Sequence, residues 1–185
     1  KAAIAPIFSG AIDSQGHRFY ASFPFDSGHN SADSPYWEFF VPLMVDSGAT
    51  AMIWAVPPAV PATFNGPAYA LSTPIDGMLA SVAATDGTYT ESALSFMLPV
   101  APTNLAALKN RGAKVMVYHG VSDAIFSVND TKDWYEGLRT ANGGDASDFA
   151  RLYRVPGMAH CAIGPSTDQF DMLTALVGWV ERGEA

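Results

Sequence analysis

Ala113-Lys114-Val115-Met116-Val117-Tyr118, preceded by Gly112 and followed by His119-Gly120-Val121-Ser122-Asp123, decides the reading of this chain. The apolar, β-branched run of 113–118 predicts a buried strand, and 120–126 a loop. Downstream, Val128–Ala141 carries apolar residues at 128, 134, 135 and 138, which suits a helix. Ser127 or Asn129 caps it, and Asn142-Gly143-Gly144 stops it. Phe149–Val155 predicts a second strand and Pro156–Ser166 a Gly/Pro loop. Asp168–Arg182 then repeats apolar residues at helical spacing and ends at Gly183. Strand, loop, helix, strand, loop, helix implies parallel strands joined by a crossover helix.

Outward from that pattern the chain divides near residue 100. Residues 101–185 form the regular half, with a short helix or turn at 104–110. Residues 1–100 are irregular and rich in Gly, Pro, Ser, Ala and aromatics. Turn formers crowd 56–67 and 72–77. Only 36–46 and 76–85 look helical. This half reads as a large excursion, closer to a lid than to a central core.

Bulk properties narrow the function classes. The 185 residues suffice for one domain with a core, and 49% apolar against 15% charged residues describes an ordered chain. A net charge of −8 without a Lys/Arg cluster argues against nucleic acid and anionic membrane surfaces. No apolar run is long enough for a membrane span. The single cysteine, Cys161, supports neither an internal disulfide nor a Cys-based zinc site, and is by default a small buried residue. The chain starts at Lys1 without an initiator Met, as trimming or cleavage from a precursor would leave it.

Catalytic groups of open α/β sheets sit past the carboxyl ends of strands. Asp123 follows the first strand and His160 the second, in Pro156-Gly157-Met158-Ala159-His160-Cys161. Acid before histidine is the chain order of a Ser…Asp…His triad. There the carboxylate holds the imidazole tautomer and the imidazole moves the serine proton. The same residues also fit plainer roles, Asp123 as a turn or cap residue and His160 as a structural histidine. No Gly-x-Ser-x-Gly occurs, and the early serines lie in polar turns such as Asp26-Ser27-Gly28 and Asp46-Ser47-Gly48. Asp26, His29 and Asp33 match no metal-ligand spacing and read as a solvated loop, as do His17 and His119. Phe23, Phe25, Tyr36, Trp37, Phe39, Phe40 and Trp54 either line an apolar substrate pocket or, by default, fill the lid's own core.

Four segments carry a family likeness: Lys109–Asp123 (KNRGAKVMVYHGVSD), Asp130–Tyr135 (DTKDWY), Phe149–Cys161 (FARLYRVPGMAHC) and Asp168–Gly183 (DQFDMLTALVGWVERG). They resemble the end of the tannase and feruloyl esterase family, which includes mono(2-hydroxyethyl) terephthalate hydrolases. Ile7–Pro24 resembles a stretch late in that family's lid. The chain departs from the pattern at Ala159, where a Gly often precedes the histidine, and at Ala124, where Pro often follows the acid.

The resemblance implies the C-terminal part of an α/β-hydrolase: residues 1–100 lid-derived, 101–185 the last strands and helices of the core. It implies Asp123 as triad acid, His160 as base, and an aromatic or phenolic ester as substrate. Cys161 matches a half-cystine whose partner precedes the nucleophilic serine, in a part carried before Lys1 or on another chain. That part is the implied partner. No cofactor is implied for catalysis, and a structural calcium belongs to the missing region of the lid. A disulfide implies secretion or a periplasmic location. The alternative is a non-catalytic module of the same scaffold.

Overall fold

Gly120 and Val155 end two parallel strands in register, and that pairing positions the candidate site. The computed structural model describes residues 5–32 and 34–184. Strands β1 (Val115–Gly120) and β2 (Ala150–Val155) are hydrogen-bonded along their whole length, from Val115↔Ala150 to Gly120↔Val155. They are the only strands among the described residues, so both outer edges of the sheet lack a partner strand.

The α-helices among the described residues are α1 (Ala5–Phe8), α2 (Ser47–Met52), α3 (Gly66–Ser72), α4 (Ile75–Ala83), α5 (Ala93–Met97), α6 (Ala106–Asn110), α7 (Val128–Ala141) and α8 (Met172–Arg182). The described residues form two compact units. One comprises 5–11, 20–32 and 101–184, the other 12–19 and 34–100. Residues 20–32 thus fall in the unit that contains the strands. Side chains in 20–32 bond directly to the loops after β1 and β2, as described below.

In the first unit, the crossover from β1 to β2 is α7. Leu138, Ala146, Phe149 and Ala150 are buried together, with Val115, Leu105, Leu108, Trp134 and Tyr135 around them. Tyr135 donates its hydroxyl to the Ala150 carbonyl at 2.9 Å, so even the polar tip is satisfied. On the other face Trp179 of α8 is buried, with Arg151 and Lys114 over its ring at 4.4 and 5.1 Å. Cation–π contacts of this kind let charged side chains cover an aromatic.

Two boundaries differ from expectation. The strand expected at 113–118 runs 115–120, because Gly120 continues the ladder beneath the second loop. A Cβ there would stand 2.2 Å from the Met158 carbonyl oxygen. The helix expected from Asp168 begins at Met172 with Asp171 as its cap, because Asp168 instead accepts from the Ile163 amide at 2.8 Å. Helix α7 spans the expected residues, with Ser127 as its cap. Strand β1 is not the fully buried element the sequence suggested: Tyr118 on it is exposed, as is Tyr153 on β2.

The second unit contains no strand among the described residues. A bridge between Ile12 and Arg18 closes a turn in which Asp13 accepts from the Gln15 and His17 amides. Two π-helical turns, Tyr36–Phe40 and Pro42–Asp46, lead into α2. Asn65 caps α3 and Ser92 caps α5. Its buried apolar residues are few: Val41, Ala51, Ala55 and Val56. Of the aromatics expected to fill the lid's own core, Tyr36, Phe39 and Phe40 are exposed, and Phe23 and Phe25 belong to the other unit. A cavity of about 500 Å³ opens between Met52, Ile53, Val56, Tyr89, Phe96 and Met97.

Candidate active site

Because the strands end level, the loops after them leave from one edge of the sheet. Asp123 comes three residues beyond β1 and His160 five beyond β2. The Ser122 amide donates to the Met158 carbonyl at 3.0 Å and joins the loops. Asp123 is buried at 4% exposure, and its Oδ2 lies 3.0 Å from His160 Nδ1. A carboxylate offers only lone pairs, so the facing nitrogen, Nδ1, is the one that carries a proton to it. The other oxygen, Oδ1, accepts from the Ile125 and Phe126 amides, both at 2.9 Å. Oδ1 thus holds the loop, while Oδ2 faces the His160 imidazole.

His119, which the sequence reading set aside as solvated, is half-buried beside this carboxylate. Its Nε2 lies 3.3 Å from Asp123 Oδ2 and 2.9 Å from the Phe126 carbonyl, and its Nδ1 lies 2.8 Å from Thr131 Oγ1 on α7. Burial alone pushes the Asp123 carboxyl up. Hydrogen bonds from His119, the Phe126 amide, His160 and the Ile125 amide outweigh it and hold the group below the ordinary carboxylate range. The bond to Asp123 in turn raises His119 above its ordinary value, against burial. The sequence signal available for His119 was its place four residues before the acid.

The histidine loop is built on left-handed backbone. Gly157 has φ +77°, and a Cβ there would meet the Pro165 carbonyl oxygen at 2.4 Å. The Ala159 amide donates to the Ile163 carbonyl at 3.1 Å. The Phe126 ring lies 5.4 Å from the His160 ring, centroid to centroid. Tyr118, Gly120, Met158 and Cys161 line a hollow of about 240 Å³ around Asp123 and His160. Cys161 is exposed, not buried as its default reading had it, and has φ +55°.

Asp26 is likewise not solvated. Its Oδ1 accepts from the Gly28 amide at 2.9 Å, the Gly157 amide at 3.0 Å and the Ser122 hydroxyl. Tyr20 and Ser22 reinforce this strap: the Ser127 amide donates to Tyr20 Oη at 2.9 Å, and Ser127 Oγ to the Ser22 carbonyl at 2.7 Å. His17 does sit exposed, paired with Asp13. Asp33, the third residue weighed as a metal ligand, lies outside the described residues. Among the described residues, no group of three or more His, Cys, Asp or Glu is arranged to hold a metal ion. The buried serines have acceptors of their own, Ser122 at Asp26, Ser127 at Ser22 and Ser47 at the Leu43 carbonyl.

Solved structures share this architecture. Feruloyl esterase B from Aspergillus oryzae superposes with a TM-score of 0.59 at 23% identity, over 100% of this chain and 36% of that one. Tannin acyl hydrolase from Aspergillus niger gives 0.51 at 21%, over 98% and 34%. These likenesses define a partial α/β-hydrolase fold. The sequence profile described as tannase and feruloyl esterase matches residues 2–185, and the chain belongs to that family. Among its relatives are the mono(2-hydroxyethyl) terephthalate hydrolase of Piscinibacter sakaiensis, 41% identical over 96% of this chain, and feruloyl esterase B of Aspergillus niger, 33% identical over 44%. The chain spans only 28% and 19% of those two proteins. No helix among the described residues is long and apolar enough to cross a membrane.

Proposed function

We propose that this chain supplies the acid, Asp123, and the base, His160, of a serine esterase that cleaves aromatic or phenolic carboxylic esters. The nucleophilic serine lies in a separate part of the same enzyme, outside residues 1–185. The observation that carries the reading is the 3.0 Å contact from buried Asp123 to His160 Nδ1. In that arrangement Nε2 takes the serine proton as the hydroxyl attacks the ester carbonyl. The imidazolium that forms is stabilised by Asp123 and returns the proton to the leaving alcohol. Water then repeats the cycle on the acyl-enzyme. The likeness to feruloyl and terephthalate ester hydrolases supports an aromatic acyl group. The test is ester turnover by the enzyme assembled with its serine-bearing part, on a feruloyl ester and on mono(2-hydroxyethyl) terephthalate. His160→Ala is expected to lower kcat by about 10³-fold or more. Undiminished turnover would leave the chain a non-catalytic module.

Cys161 extends the reading. Its exposed position directly after His160 suits a disulfide to a cysteine beside the serine, which would tie the base to the nucleophile and place the enzyme in a secreted or periplasmic setting. Titration of denatured, unreduced protein with a thiol reagent should find no free thiol. One thiol per chain would remove the link. A structural calcium, if the enzyme holds one, belongs to the serine-bearing part.

A further inference from the structure

The loop 26–28 touches both loops that carry the candidate acid and base, and nothing in the proposed chemistry uses it. Asp26 Oδ1 gathers donors from three places in the chain: the Gly28 amide at 2.9 Å, the Gly157 amide at 3.0 Å and the Ser122 hydroxyl. Ser122 directly precedes Asp123, and Gly157 opens the loop that ends in His160. We propose that Asp26 is a positioning residue, a clamp that sets the distance and angle between Asp123 and His160 by holding their two loops on one oxygen. This rests on the acid–base reading of that pair.

Four further observations support the clamp. Gly28 lies flush against both loops, since a Cβ there would stand 2.3 Å from Ser122 Oγ and 2.5 Å from the Gly157 carbonyl oxygen. Ser122 is 2% exposed, so without Asp26 its hydroxyl would lose its acceptor away from water. Burial raises the Asp26 carboxyl, but the bonds from Ser122, Gly28 and Gly157 outweigh it and hold the group below its ordinary range. An ionised oxygen suits three donors better than a neutral one. The strap itself is held by Tyr20 and Ser22, so the clamp stands on an anchored base.

Misplacement of catalytic groups by about an ångström is enough to cost on the order of a hundredfold in rate. The decisive experiment uses the assembled enzyme labelled with ¹⁵N-histidine, at a temperature where circular dichroism shows each variant fully folded. The low-field His160 Nδ1–H resonance, identified by its loss in His160→Ala, reports the acid–base hydrogen bond. Asp26→Ala should broaden or abolish it and lower kcat about ten- to hundredfold, with KM changed less than about twofold. Asp26→Asn, which keeps an acceptor oxygen, should recover part of both. A purely structural role would lower the melting temperature and leave the resonance and kcat of the folded variant alone, which would overturn the clamp. Should Asp26→Ala fail to fold, Ser122→Ala removes one tether only, and an unchanged resonance and kcat there would overturn it equally. Full turnover by His160→Ala would refute the esterase reading instead, and the resonance would still judge the clamp.

Discussion

The two units of this chain solve the same problem in different ways. The unit containing β1 and β2 buries large side chains to near-zero exposure around Leu138 and ties its loops with buried polar contacts at Asp123, Asp26 and Ser127. The unit of residues 12–19 and 34–100 has short helices, few buried apolar groups and exposed side chains such as Leu71 at 79% and Phe96 at 74%. Stability in the first comes from packing plus satisfied polar groups. In the second, turn chemistry and caps dominate. Catalytic geometry requires the first kind of scaffold, because a loop holds a carboxylate and an imidazole in register only when its own backbone is fixed.

The contrast is open to direct attack. Leu138→Ala removes a fully buried side chain from the centre of the first unit's core, and is expected to cost about 2–5 kcal/mol in denaturant unfolding. A cost under about 1 kcal/mol would erase the distinction. A smaller effect tests the polar ties. His119 is raised above its ordinary value by Asp123, so its contribution to stability is fully present below about pH 6.5 and fades as pH rises through the raised value. Asp123, held low, stays charged throughout that window. The melting-temperature gap between the native protein and His119→Asn should therefore be wider near pH 5.5 than near pH 9. A gap that does not narrow at the alkaline end would show that the ring's charge contributes nothing. The smallest effect belongs to the second unit: Leu71→Ala should change stability by less than about 0.5 kcal/mol. A larger loss would reveal a core there that the exposures do not show.

What the sequence disclosed followed from periodicity. The α7 pattern at 128, 134, 135 and 138 gave that helix to the residue, and the order of strands and helices gave the parallel pair with its crossover. Asp123 and His160 could be singled out because position past a strand end is a local property, and the structure brings them within 3.0 Å. The ends of β1 and α8 were less legible, since distant carbonyls and amides set them: Met158 over Gly120, and Ile163 on Asp168. Asp26 was misread for the same reason. A polar turn beside a glycine looks solvated until the chain brings Ser122 and Gly157 to it, and no spacing in the sequence encodes that meeting.

The division of labour between the two oxygens of Asp123 restricts which mutations this position tolerates quietly. Glutamate adds a methylene and moves the accepting oxygen off the Ile125 and Phe126 amides. Alanine leaves the loop without its acceptor. Asparagine is the deceptive neighbour. Its carbonyl keeps both amides, so the loop and the fold persist, while its amide now points hydrogens at His160. The imidazole answers by shifting its own proton to Nε2, the nitrogen that must be bare to act as a base. On the proposed acid–base reading, a lineage drifting through that change would keep its fold and lose its base, and screens that reward folding alone would not see the loss.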